Sequence, residues 1–202
     1  MKNHLSDKFA RIISTLFVPP SFTILVFTFF ALNLENDLSN KIVTILVALI
    51  FGFSFQIILF IYFKNKGKLA NLDATIKEER TIPFLISVAF YAIGFLLLIV
   101  EKVNILSIAF WFCYISNTLI VVIINTYWKI SVHSIGASGA MAAVIFITGP
   151  IGLLLSLVVF LIGWSRIKLK CHNLTQVAAG ILFGFFSTYF QIFFILKLFI
   201  KS

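Results

Sequence analysis

Charge is what this sequence has least of. Asp, Glu, Lys and Arg make up 11% of its 202 residues, seven acidic against 16 basic. With 61% hydrophobic residues and a mean hydropathy of +1.10, that excludes a water-soluble globular domain. Cysteine is nearly absent. Cys113 and Cys171 have neither zinc-site spacing nor a disulfide framework. Cys113 reads as a small packing residue, and Cys171 adjoins His172 without further ligands, so no metal and no cofactor is implied. The apolar runs lack the polar alternation of a transmembrane barrel. The first of them, roughly Ile12 to Leu32, is too long for a signal-peptide core and lacks an A-x-A cleavage site, so it reads as an uncleaved span. No inverted repeat supports a small-molecule transporter.

What the chain does have is apolar runs of about 20 residues, the length a helix needs to cross a hydrocarbon core. In lipid the backbone must satisfy its own hydrogen bonds, so these runs are expected to be helices. Seven can be drawn, roughly 10–32, 41–63, 82–100, 104–126, 134–148, 150–164 and 174–200. The expected fold is all-α, a polytopic transmembrane helical bundle of six to seven membrane helices, forming one integral membrane domain over residues 1–202. Gly149-Pro150 favours a tight turn, so 134–164 reads as a hairpin of short helices or a re-entrant pair. The chain then returns to the side it left, and parity puts Arg80, His133 and Arg166/His172 on one face. A single kinked span there would instead part His133 from His172.

That face also carries the N-terminus and twelve of the 16 Lys and Arg residues; Lys41, Lys102, Lys197 and Lys201 are the other four. The positive-inside rule then puts the N-terminus at the cytoplasmic face of a multi-pass protein of the plasma (inner) membrane. Trp128 and Trp164 fall at segment ends on the same side, as interfacial anchors do. The net charge of +9 reads as topology signals beside anionic headgroups. It does not read as nucleic-acid binding, and it favours an anionic partner embedded in the bilayer.

Ionisable groups at membrane segments are costly and mark working sites. Ser165-Arg166-x5-His172-x3-Gln176 opens the last apolar run, and Ile130-Ser131-Val132-His133 opens an earlier one. Glycine and alanine at Gly136, Gly139, Ala140 and Ala143, and at Ala178, Ala179, Gly180 and Gly184, would let those two helices approach closely. Gln56, Asn117, Asn125 and Gln191 read as interhelical hydrogen bonders.

These motifs resemble the type 2 phosphatidic acid phosphatase and vanadium haloperoxidase superfamily, over about residues 64–190. That family carries Lys-x6-Arg-Pro, Pro-Ser-Gly-His and Ser-Arg-x5-His-x3-Asp in order. Here the third is matched in spacing, with Gln176 in place of Asp. The second keeps Ser131 and His133. The first appears as Asp73-x6-Arg80-Thr81-Ile82-Pro83, with Asp where Lys belongs. The resemblance implies His172 as nucleophile, His133 as general acid, Arg80 and Arg166 as phosphate clamps, and Ser131 as a hydrogen-bond donor to phosphate. Lys77, one helical turn before Arg80, is a candidate for the missing lysine. Gln176 would accept from the His172 imidazole without supplying negative charge, or would close a capping box with Asn173; both roles can coexist. The implied activity is hydrolysis of a lipid phosphate or a prenyl phosphate or diphosphate through a phosphohistidine. The alternative is a weak or inactive relative that binds or moves an anionic lipid.

Overall fold

The computed structural model describes residues 4–200; Lys2 and Lys201 of the charge count lie outside the described residues. Among the described residues there is no strand. The chain runs through α1 (His4–Leu16), α2 (Pro19–Leu34), α3 (Leu38–Val47), a π-helical turn (Ala48–Ser54) and α4 (Phe55–Asn65). It continues through a 3-10 turn (Glu78–Arg80) into α5 (Thr81–Val100), α6 (Ile105–Tyr127) and α7 (Val132–Thr148). A second 3-10 segment (Gly149–Leu155) leads to α8 (Ser156–Lys168) and α9 (Leu174–Ile200). The protein is an all-α bundle.

Five stretches are long and apolar enough to cross a membrane, namely Leu38–Asn65, Glu78–Val100, Ile105–Tyr127, Val132–Lys168 and Leu174–Phe199. The pair α1 and α2 adds a sixth, bent by 53°. The expected unbroken first span is therefore two helices. Val18 is extended (φ −66, ψ 152) because Pro19 follows it, and Pro19-Pro20 then open α2. One of the five is not straight. Gly149 (φ 60, ψ −146) reverses the chain between α7 and α8, and Gly152 packs back on Ile145 and Thr148. Few residues other than glycine adopt that backbone conformation. The hairpin expected over 134–164 is thus present, and the single kinked span is not.

Two contacts hold the ends of the bundle in register. At one end the Asn104 N–H donates to Glu35 Oε1 (2.7 Å), tying the α2–α3 turn to the α5–α6 turn. At the other the Ser131 N–H donates to the Gln176 carbonyl (3.3 Å), tying the start of α7 to the first turn of α9. Between them, Trp111 is fully buried; its indole donates to the Tyr91 carbonyl (2.7 Å) and meets Phe27 edge-on at 5.0 Å. Such aromatic contacts add about 0.5–1.5 kcal/mol beyond the area they bury.

Where α7 packs on α9, glycine lets backbone meet backbone. A Cβ at Gly180 would stand 2.7 Å from the Ser131 carbonyl, and one at Gly184 would stand 2.5 Å from the Ile135 carbonyl. Gly139 faces Thr188 on α9 in the same seam, whereas Gly136 faces Pro19 on α2 instead. The polar residues divide in a similar way. Asn117 on α6 bonds Ser187, Thr188 and Gln191 on α9, as an interhelical network should. Gln56 instead donates to the Phe51 carbonyl (2.9 Å) in the π turn that precedes its helix, and the Asn125 amide has no partner among the described residues.

Gly184→Val tests the seam. The added side chain meets backbone, which cannot rotate away, so we expect a loss of about 1–3 kcal/mol. It would be read as a lowered Tm of the detergent-solubilised protein.

Candidate functional site

The spacing of the third motif follows from how α8 ends and α9 begins. Lys170 takes a left-handed conformation (φ 56). The Lys170 N–H donates to the Ile167 carbonyl (2.9 Å), and the Cys171 N–H to the Arg166 carbonyl (3.0 Å). This is a Schellman motif, with lysine where glycine is commonest. The His172 N–H also reaches the Arg166 carbonyl (3.2 Å), so the loop folds back over the residue that carries the guanidinium. Asn173 then caps α9: its Oδ1 accepts from the Gln176 N–H (2.9 Å), and Gln176 Oε1 accepts from the Asn173 N–H (3.4 Å).

The same Gln176 oxygen lies 3.0 Å from His172 Nδ1. Because that atom already accepts a backbone N–H, it is the amide oxygen, so Nδ1 carries the proton. The Nε2 lone pair is left free. Both roles considered for Gln176 are therefore filled at once. His172 is buried, and burial together with the nearby Arg80 charge pushes its pKa down to about 3, against an ordinary value near 6.5. The imidazole is neutral at physiological pH.

Arg80 is 3% exposed. Its Nε donates to the Ala74 carbonyl (2.5 Å) and a terminal nitrogen to the Ile130 carbonyl (3.1 Å), joining the loop before α5 to the one before α7. It does not pair with its acidic neighbours; Glu78 sits on Lys77 and Glu79 accepts from the Ala70 N–H. Arg166 is fully buried, and its guanidinium donates to Ser14 Oγ (2.5 Å) and Asp73 Oδ1 (2.5 Å). The Arg166 Nε and the His133 Nε2 are buried without a partner among the described residues. His133 lies within electrostatic reach of Arg166, Asp73, His172 and Arg80.

Arg80, Arg166, His133 and His172 line one cavity of about 560 Å³, within the usual range for ligand sites. Its charged residues sit at the end formed by α1 and by the loops before α5, α7 and α9. From there it runs inward past Phe60, Phe84, Tyr91 and Phe110 to Asn117 and Thr188. The cavity thus has a cationic mouth and a mainly apolar interior.

Two expected phosphate ligands lie elsewhere. Lys77 is outside the lining; its ammonium donates to the Asn125 (3.2 Å) and Thr126 (2.9 Å) carbonyls at the end of α6. A cation there satisfies carbonyls that the helix leaves open. Ser131 is fully buried and caps α7, its Oγ accepting from the Ser134 N–H (3.4 Å) and hydroxyl (2.9 Å). A further cation on the lining is Arg11. It lines the cavity from α1 and bonds Asp73 Oδ2 at 2.6 Å. Lys129 lies close by, its ammonium on the Cys171 carbonyl (2.6 Å). Nothing in the sequence around Arg11 separates it from the other basic residues near the N-terminus. Burial works to raise the Asp73 pKa, but the hydrogen bonds and charges of Arg166 and Arg11 outweigh it and hold it at about 2.

Comparison with protein-family models, with curated proteins and with solved structures finds no match.

The depressed His172 pKa makes a prediction about stability. Between about 3 and 6.5 the unfolded chain binds a proton at this residue and the folded one does not. Stability therefore rises with pH across that window and falls as pH drops through it. His172→Gln should flatten that dependence, measured as Tm against pH. Gln176→Glu supplies a negative charge to the imidazolium and should raise the His172 pKa above about 3, read by NMR titration of the ring.

Proposed function

We propose that this protein is a membrane-embedded phosphatase that hydrolyses a lipid phosphate or a prenyl phosphate or diphosphate through a phosphohistidine. The observation that carries the reading is the cavity itself, with two buried arginines and two histidines at its mouth and an apolar interior behind them. A phosphate ester needs charge stabilisation at its head, and an acyl or isoprenoid chain needs apolar surface. Arg80 and Arg166 would hold the phosphoryl oxygens, since planar guanidinium groups bind them in pairs. His172 Nε2 attacks phosphorus, the bond to the leaving oxygen breaks, and His133 gives that oxygen a proton. Water then attacks the phosphohistidine, its proton passing to His133, and phosphate leaves with His172 restored. Gln176 keeps the attacking tautomer in place through Nδ1. The resemblance of the three motifs to the type 2 phosphatidic acid phosphatase superfamily supports the same assignment of roles.

The site end carries most of the basic residues, so we place it and the N-terminus at the cytoplasmic face of the plasma (inner) membrane. A second reading, a protein that binds an anionic lipid without turning it over, draws on two features. Asp73 already occupies the Arg166 guanidinium, and Gln176 brings no negative charge to His172.

Phosphate release from phosphatidic acid and from polyprenyl phosphates by the purified protein separates the two readings. Turnover is expected, with His172→Ala lowering kcat at least about a thousandfold and His133→Ala about 10²–10⁴-fold. Full activity in His172→Ala overturns the mechanism. Lipid binding that needs Arg80 and Arg166 but yields no phosphate establishes the binding protein instead.

A further inference from the structure

The reaction just described leaves one group at the mouth unused. Asp73 bridges two guanidinium groups, with Oδ1 2.5 Å from Arg166 and Oδ2 2.6 Å from Arg11. A phosphate bound at this mouth would present its oxygens to Arg166 in the same manner. The three side chains differ sharply in freedom: Arg166 is 1% exposed, Asp73 17% and Arg11 54%. Arg166 is therefore the enclosed member of the three, while Asp73 and Arg11 reach solvent. Asp73 belongs to the loop between α4 and the 3-10 turn, and Arg11 to α1, whose other attachments include an ion pair from Asp7 to Lys168 (3.4 Å).

We propose that Asp73 is the resident occupant of the anion seat: its carboxylate holds Arg166 in the ligand-free protein, and an incoming phosphate displaces it onto Arg11. This rests on the phosphate-site reading above and concerns how that site discriminates. A carboxylate and a phosphate oxygen compete for the same buried N–H, and two anions on one guanidinium repel. Asp73 is tethered beside its seat, which gives it an effective concentration in the millimolar range or above. A free phosphate ion must overcome that competitor with headgroup contacts alone. An amphiphilic phosphate adds the burial of its chain along the apolar interior. Asp73 thus raises the threshold for ligands that consist of a headgroup only, and keeps the mouth from filling with inorganic phosphate.

The test is inorganic phosphate binding to the full-length protein in detergent micelles, by calorimetry and by the phosphate-induced rise in Tm. Asp73→Asn should bind phosphate at least tenfold more tightly than the unaltered protein and show a larger rise in Tm. Arg166→Gln should abolish binding in either background. If Asp73→Asn is too unstable to purify without ligand, phosphate in the purification buffer should restore it, since the anion replaces the lost carboxylate. Failure of that rescue overturns the proposal. So does phosphate binding that depends on Arg166 but is no tighter in Asp73→Asn, in which case Asp73 is a strut and the phosphate-site reading stands. No phosphate binding to either protein at millimolar concentration overturns both.

Discussion

The approach of α7 to α9 at Gly180 and Gly184 is the constraint from which the rest of the site follows. Backbone meets backbone there, with the Ser131 and Ile135 carbonyls filling the space that side chains would take. Because α7 begins at Val132 and α9 at Leu174, both at the same end, that contact brings the segments carrying His133 and His172 to one cavity. The bond from the Ser131 N–H to the Gln176 carbonyl then joins the two helix starts directly. Membrane helices gain little from burying apolar surface against each other, so close packing of small residues supplies much of the association. The seam that holds the bundle is therefore also the seam that places the histidines.

A second constraint is charge in a place that disfavours it. Arg80 and Arg166 are almost completely buried, and each is held differently. Arg80 is held by backbone carbonyls from two loops, and among the described residues no carboxylate bonds it. Arg166 has a carboxylate and a hydroxyl, contributed by a loop and by α1. A buried charge is tolerable only when paired or fully hydrogen-bonded. The loop before α5 thus serves both arginines, through the Ala74 carbonyl on one and the Asp73 carboxylate on the other. Asp73, where the resembled motif carries lysine, thus meets Arg166 as its counter-charge, and a further cation comes from Arg11.

Much of the fold was legible in advance because apolar length and turn chemistry are local properties. The helical runs, the reversal at Gly149 and the capping pair Asn173 and Gln176 each depend on residues within a few positions of one another. The break before Pro19 was equally local, and the double proline announces it; the apolar run on both sides had masked it. Lys77 and Ser131 lie off the cavity lining for a different reason. Spacing along the chain put them near Arg80 and His133, but helix ends made prior claims on both, Lys77 on the open carbonyls of α6 and Ser131 on the first N–H groups of α7.

The sequence by itself determined that this is an all-α bundle rich in membrane-length helices. It also determined that Arg80, His133, Arg166 and His172 would lie at one end. Hydropathy, parity and motif spacing are sums over consecutive residues and need no coordinates. Only the tertiary structure decided which cations share the cavity. Arg11 is 62 residues from Asp73, and Arg166 is 93 residues from it. No local pattern encodes those separations. They are set by α1 packing against α8 and by the loop before α5 reaching over both, where a buried guanidinium must find its counter-charge from whatever part of the chain the bundle brings within reach.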